Sequence, residues 1–318
     1  MPKISILIPV YNCEKTIKKC LKSALEQTFK DIEIIVINDG SKDRSLAIIK
    51  AIQKLDRRIK IINKRNTGYG NSLNIALSRA KGEFIGILEA DDWLEKNALS
   101  IMSKYFEEYE IIKSSFNFIK SGKIFKTYDL NKNFNGEKES LVLIKPSIWS
   151  ALYKKSFLDK NEIRFLNTQG ASFQDTSFHF KTMCLVNKIK LINSPFYNYR
   201  IDENEASSIN SLSKINEIFL EFDEINNFLN QNFQLRDFLS NKILFEFRAY
   251  FWKFLRLKKE EKLDFIKRMA FIFKNYELEN FYLDDRILLL DKLKLKFLIK
   301  SPYLFYLIFK NQKKRNER

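Results

Sequence analysis

The N-terminal third of the chain alternates two hydrophobic periods. Ile4-Ser5-Ile6-Leu7-Ile8-Pro9-Val10 is a nearly continuous apolar run, the pattern of a strand covered on both faces. Between Thr16 and Gln27 the apolar residues Ile17, Cys20, Leu21, Ala24 and Leu25 recur at i, i+3, i+4, i+7 and i+8, which predicts a helix with one stripe facing a sheet. The alternation repeats with a strand over Ile32–Ile37 and a helix from Ser41 to about Leu55, Ser41 its N-cap and Asp43 in its first turn. A strand over Ile59–Ile62, a helix over Asn71–Ala80 and a strand over Phe84–Leu88 follow. Strand and helix in turn at this spacing predict an α/β, Rossmann-like, mostly parallel sheet with right-handed crossovers and helices on both faces.

Farther on the pattern changes twice. Glu110–Tyr128 reads as β-rich with a hairpin at Ser121-Gly122, Asn131–Lys138 as a polar surface loop, Asp175–Asn187 as a helix and Pro195–Arg200 as an extended aromatic segment. From Ile209 to about Ile299, apolar residues at i, i+3 and i+4 with almost no Gly or Pro predict three or four helices. The expected organisation is a domain over 1–206 and a helical C-terminal region over 207–318, with the boundary near Ser207. No internal repeat is visible.

Composition narrows the chemistry. In 318 residues there are 8 Gly and 5 Pro, and 45% of positions are hydrophobic, which excludes collagen-like and low-complexity chains. Cys13, Cys20 and Cys184 are odd in number and lack C-x-x-C spacing, so they predict neither a disulfide framework nor a thiolate zinc site. The single histidine, His179, rules out zinc sites that need several imidazoles. The chain opens directly into a strand, and no stretch reaches the about 18 apolar residues of a spanning helix, so a cytoplasmic location is expected. Net charge is +17, a field that favours anionic partners, and from Arg286 to Arg318 ten basic residues stand against two acidic ones.

In an open parallel sheet, ligands sit at the carboxyl ends of the strands. Those ends carry Pro9-Val10-Tyr11-Asn12, Asn38-Asp39-Gly40-Ser41, Arg65-Asn66-Thr67-Gly68 and Glu89-Ala90-Asp91-Asp92. An aromatic, an Asp, a basic residue and a carboxylate cluster are parts for binding a base, a ribose and a metal-bridged diphosphate. Three neighbouring carboxylates repel one another unless a cation is present. Gly68-Tyr69-Gly70 lacks the third glycine of a dinucleotide fingerprint, with Leu73 in its place.

The ordered series Ser5-Ile6-Leu7-Ile8-Pro9-Val10-Tyr11-Asn12, Asp39-Gly40-Ser41 with Asp43, Asn66-x-Gly68, and Ala80-Lys81-Gly82-Glu83-Phe84-Ile85 leading into Glu89-Ala90-Asp91-Asp92 resembles family 2 glycosyltransferases of the GT-A fold. A sparser set, Trp149-x-x-Leu152-Tyr153-Lys154, Gln174-Asp175-Thr176-x-Phe178 and Tyr197-x-Tyr199-Arg200 with Ser207-Ser208, resembles the acceptor half of bacterial surface-polysaccharide enzymes. The resemblance implies a nucleotide-sugar-binding half over 1–110 and an acceptor half over 111–206. It implies a nucleotide-sugar donor, UDP-linked by default, bound by Pro9, Tyr11, Asp39, Asn66, Gly68, Glu89, Ala90, Asp91 and Arg200. It further implies Mn²⁺ or Mg²⁺ held by Asp91 with help from Glu89, Asp92 orienting or ligating, and Asp175 as the catalytic base of an inverting displacement. The family usually has Asp where this chain has Glu89, and the extra methylene moves the charge by about an ångström. Asp, Thr and Ser at a helix start are also ordinary capping chemistry, so the base assignment at Asp175 comes from the resemblance. His179, four residues on, is expected to be a bystander.

The implied acceptor is a glycan or a lipid-linked glycan. The tail segments Leu293–Lys300 and Tyr303–Lys310 mix apolar residues with lysines, a makeup that fits either peripheral contact with the anionic inner face of the cytoplasmic membrane or a solvated cap of the helical region, which is also open to oligomer formation. Two rivals fit less well. A sugar-phosphate nucleotidyltransferase normally opens with a Gly-rich basic loop, which Tyr11-Asn12-Cys13-Glu14 is not. A non-catalytic basic module for membrane or nucleic acid would set Asp39, Asp91 and Asp92 against a polyanion, so no nucleic-acid partner is expected.

Overall fold

The computed structural model describes residues 1–132, 134–168, 170, 172–201 and 215–312. They divide into two compact units, one of 1–136 with 144–211 and one of 137–143 with 212–318. The boundary expected near Ser207, and the Ser207-Ser208 pair itself, lie outside the described residues.

In the first unit the predicted alternation is realised as β1 (Ile4–Val10), α1 (Ile17–Leu25), β2 (Ile32–Asp39), α2 (Ser45–Gln53), β3 (Ile59–Lys64), α3 (Tyr69–Arg79) and β4 (Phe84–Ile87). The four strands are parallel in the order β3-β2-β1-β4, with Ile4 opposite both Ile32 and Phe84. All residues of β1 and β2 are buried, which is why these segments read as unbroken apolar runs. The stripe on α1 is buried through Ile17, Cys20, Leu21 and Ala24. One helix start differs from expectation: α2 begins at Ser45, and Asp43 Oδ1 accepts from the Ser45 N–H at 2.9 Å, while the Ser41 hydroxyl accepts from the Asn12 N–H. Asp43 takes the capping contact because its carboxylate reaches two residues onward into the free amides of the first turn.

The unit continues through β5 (Trp93–Leu94), α4 (Ala98–Met102), β6 (Ile111–Lys120), β7 (Lys123–Tyr128), β8 (Ala151–Lys154), α5 (Lys155–Lys160), α6 (Gln174–Leu185) and β9 (Ile189–Arg200). The full order is β3-β2-β1-β4-β8-β6-β9-β5, with β7 paired to β6. The sheet is therefore mixed: β8 runs antiparallel to both β4 and β6, and β9 runs parallel to β6. The hairpin turn is Ser121-Gly122 as expected, both with positive φ (49° and 76°), the geometry of a two-residue turn that forces antiparallel pairing. Trp149 stacks on Tyr197 and Tyr199, with centroids 4.2 and 5.1 Å apart, and meets Phe116 edge-on.

The second unit contains α7 (Ile215–Gln231), α8 (Leu239–Phe254), α9 (Lys259–Lys274), α10 (Glu279–Leu283), α11 (Leu289–Lys300) and α12 (Pro302–Phe309). Five described helices fill the span in which three or four were expected, because α8, α9 and α10 end without a Gly or Pro to mark the break. Inside it, buried Lys242 donates to Glu246 Oε2 at 2.7 Å and to the Tyr276 hydroxyl at 2.9 Å, and that hydroxyl donates to Glu246 Oε1 at 3.2 Å. Burial pushes the ammonium pKa down and the Glu246 charge opposes it. Glu246→Ala strands a buried cation and is expected to destabilise this unit by about 3–5 kcal/mol, read by denaturant unfolding. A loss below about 1 kcal/mol would show that the pair is dispensable. Among the described residues, no helix is long and apolar enough to cross a membrane.

Candidate active site

The parallel strands bring the carboxyl ends of β1, β2, β3 and β4 to one edge of the sheet. There the chain turns away through the segments singled out in the sequence. Pro9 is buried within β1, whereas Tyr11 is 47% exposed and offers an open ring. Asp39, at the end of β2, is buried and clamps the loop that opens α3: Oδ1 accepts from the Thr67 N–H at 2.9 Å and from the Lys64 ammonium, and Oδ2 accepts from the Gly68 N–H at 3.0 Å. Oδ2 takes this one bond among the described residues, which leaves a second lone pair for another donor. Gly40 has φ +71°, and a Cβ there would come within 2.8 Å of the Asn66 nitrogen, so glycine is needed for β2 and the β3–α3 loop to approach. Asn66 is exposed and Gly68 buried.

The carboxylates after β4 have separate environments. Glu89 Oε1 accepts from the Tyr69 hydroxyl at 2.5 Å, and its N–H donates to the Tyr197 hydroxyl at 3.1 Å. Tyr69 is in turn fixed by its N–H to Gly170 O and by an edge contact with Phe165. Asp92 is buried and faces inward, its oxygens accepting from the Tyr197 hydroxyl at 2.7 Å and the Arg200 N–H at 2.8 Å. It therefore ties the β4 end to β9. Ala90 is buried between them, and Asp91 is partly buried.

Crowding shows in the electrostatics. Burial pushes the Glu89 carboxyl up to about 8; the Tyr69 bond opposes this, and the charges of Asp91 and Asp175 add to it. Asp92 is pushed well above the usual carboxylate range by burial and by Asp91. Burial also lifts the thiols of Cys13, to about 12, and Cys20, with Asp91 and Glu89 contributing, so neither is a nucleophile near neutral pH. Lys19 brings positive charge to this edge, its ammonium 2.9 Å from the Trp93 ring centroid, and its pKa is lowered by burial and by the charge of Arg200.

Asp175 reaches the same region from α6. It stands in the first turn behind Phe173, whose φ of 66° bends the chain into the helix, while Gln174 Nε2 donates to Thr168 Oγ1 at 2.8 Å. Burial raises the Asp175 carboxyl to about 6, against the pull of its own backbone amide and of Lys145 and Lys113. His179 is fully buried one turn on, as a packed residue.

Two contributors, Lys113 and Tyr69, escaped the sequence reading, and a third, Tyr197, entered it only as part of the acceptor-half motif. Lys113 is a buried lysine in the apolar strand β6, and its ammonium donates to Ser147 O at 2.6 Å, Ser147 Oγ at 2.9 Å and Ser150 Oγ at 3.1 Å, using all three protons. Burial lowers its pKa to about 7 while Asp175 pulls it back up. A charge directly after Ile111-Ile112, within a buried strand, was the available signal. Tyr69 and Tyr197, the hydroxyls that hold Glu89 and Asp92, carried no sequence signal for those contacts.

The donor set fits a divalent cation. Crowded carboxyls with raised pKa values mark a place short of positive charge. No cluster of three His, Cys, Asp or Glu side chains set for a metal occurs among the described residues. Glu89 and Asp91 offer carboxylate oxygens, the donor type that suits Mg²⁺ or Mn²⁺.

The mixed sheet, with four parallel strands whose carboxyl ends carry acidic residues, has the architecture of the GT-A fold. The chain belongs to Glycosyl transferase family 2, whose family model matches residues 5–186. It is 30% identical to the EpsH protein of Bacillus subtilis over 211 residues, covering 63% of this chain and 61% of that protein. It is 42% identical to chondroitin synthase of Pasteurella multocida over 106 residues, covering 33% and 11%. The chain thus spans less than two thirds of these relatives' length. Among solved structures, residues 1–349 of S. aureus TarS superpose with a TM-score of 0.69 at 20% identity, covering 98% of this chain and 93% of that one; the same protein was also solved with UDP-GlcNAc.

Proposed function

We propose that this chain is a metal-dependent, inverting glycosyltransferase that moves a sugar from a UDP-linked donor to a glycan or lipid-linked glycan acceptor during surface-polysaccharide synthesis. The observation that carries the reading is that the charge of Asp175, 84 residues beyond Asp91 in sequence, reaches Glu89 together with that of Asp91. The chondroitin synthase relative supports polysaccharide synthesis, and the UDP-GlcNAc complex of TarS supports the donor class.

Displacement at an anomeric carbon needs stabilisation of a departing diphosphate and removal of a proton from the incoming hydroxyl. In this reading Asp91 and Glu89 hold a Mn²⁺ or Mg²⁺ ion, which supplies positive charge to the diphosphate. Arg200 adds a cation on the same side. Tyr11 lines the base, Asn66 and Gly68 shape the loop beneath it, Ala90 keeps the β4 end narrow, and Asp39 both braces that loop and meets a base N–H through its second Oδ2 lone pair. Pro9 sets the course of the chain into Tyr11. Asp175 takes the acceptor proton at a carboxylate oxygen, and a pKa of about 6 keeps it ionised at neutral pH yet basic enough to act. A single displacement inverts the anomeric centre.

The test is a panel of nucleotide sugars with Mn²⁺, read by thermal shift and by mass spectrometry of the product. UDP-sugars are expected to raise the melting temperature only with metal, and one of them to be turned over. Protection by no nucleotide, and no donor consumption, would overturn the reading. Lys113→Met removes a cation that holds the Asp175 carboxyl down, so the acid limb of the turnover profile is expected to move to higher pH. An unmoved limb would sever Lys113 from the base.

A further inference from the structure

α11 and α12 present an apolar face that is exposed among the described residues. α12 turns Phe305 and Phe309 inward against Phe251, with centroids 5.9 and 5.4 Å apart. At about 100° per residue, Tyr303 and Leu307 fall on the opposite side and Leu304 and Ile308 on its flanks, and Tyr303, Leu304, Leu307 and Ile308 are 58, 52, 36 and 62% exposed. α11 buries Leu295 and Leu298, and its other side carries Leu289, Leu290 and Leu293, each more than half exposed, followed by exposed Lys296 and Lys300. Exposed apolar residues concentrated in this way mark an interaction surface.

Charge selects the occupant. From Leu288 to Lys310 the chain carries Lys292, Lys294, Lys296, Lys300 and Lys310 against Asp291 alone, and Asp291 is ion-paired with Arg248 at 2.7 Å. The sequence goes on with Lys313, Lys314 and Arg315. A second copy seated on this face would set these lysines against their own kind across a two-fold axis. A polyphosphate chain would satisfy the lysines but leave the leucines wet. A bilayer with anionic headgroups meets both: acyl chains take the apolar side chains, headgroups take the ammonium groups. An eight-residue helix lies on such a surface and does not span it.

We infer that α11 and α12 form a docking face for an anionic lipid bilayer, with Leu304, Leu307 and Ile308 entering the headgroup layer and Lys296, Lys300 and Lys310 binding phosphate. This does not rest on the glycosyltransferase reading, and its test needs no donor or turnover.

The experiment is flotation of the full chain with extruded vesicles of phosphatidylcholine alone or with phosphatidylglycerol. Binding to the anionic vesicles is expected to be at least about tenfold tighter than to phosphatidylcholine and to weaken with added salt. The double variant Leu304→Glu/Ile308→Glu and, separately, Lys296→Glu/Lys300→Glu should each lose about tenfold or more, with an unchanged melting temperature. Wild-type protein that stays off anionic vesicles, binds both compositions equally, or is matched by both variants overturns the inference. So does light scattering that shows a dimer dissolved by Leu304→Glu/Ile308→Glu, since a second copy would then be the occupant.

Discussion

Asp91→Asn is expected to lower turnover by about 10³-fold and to abolish the metal-dependent part of nucleotide affinity. The substitution keeps the size and shape of the side chain, so the β4 end and the fold should survive. What disappears is the charge, and no neighbour replaces it. Asp92 is held by the Tyr197 hydroxyl and the Arg200 N–H, and Glu89 is held by Tyr69. Isothermal titration of UDP with and without Mn²⁺ separates the two effects. Wild-type protein should bind far more tightly with the metal, and the variant should bind equally weakly in both conditions. A variant that keeps the metal-dependent gain would move the cation site away from Asp91.

The second large effect falls on the opposite side of the reaction. Asp175→Asn is expected to lower kcat by about 10²–10⁴-fold while leaving the affinity for UDP with Mn²⁺ as it is, because the proposed function gives Asp175 the acceptor proton and not the nucleotide. The pH dependence gives an independent check. A base must be ionised to accept a proton. With the carboxyl raised to about 6, the wild-type kcat/KM is expected to be level above that pH and to fall about tenfold per unit below it. The residual activity of Asp175→Asn should lose this acid limb. Full turnover, or an acid limb retained in the variant, would assign the base elsewhere.

The features legible in the sequence were those carried by local periodicity. β1 and β2 are buried on both faces and so read as unbroken apolar runs; α1 faces its neighbours with one stripe; Ser121-Gly122 turns because both residues take positive φ. The strand-end segments were found by a rule about parallel sheets. What escaped depends on contacts between distant residues. Tyr69 meets Glu89 across 20 positions and Arg200 meets Asp92 across 108, separations at which the periodicity of either segment is silent. Lys113 interrupts an apolar strand, yet its role depends on Ser147 and Ser150, which no spacing connects to it. The sheet reads as mostly parallel from its first four strands; β8, antiparallel to β4 and β6, escaped because a four-residue strand leaves almost no pattern, and β5 and β7 add further antiparallel pairs. Residues 137–143, read as the end of a polar loop and the stretch after it, belong to the helical unit.

The central claim is that Asp91, with Glu89, grips a divalent cation against the diphosphate of a nucleotide sugar. The most direct measurement is a crystal structure of the protein with UDP and Mn²⁺, the metal located by its anomalous signal. The account predicts a peak in contact with an Asp91 oxygen and with both phosphates, at the carboxyl edge of β4. Nucleotide bound without such a peak, or a peak that leaves Asp91 untouched, would contradict it.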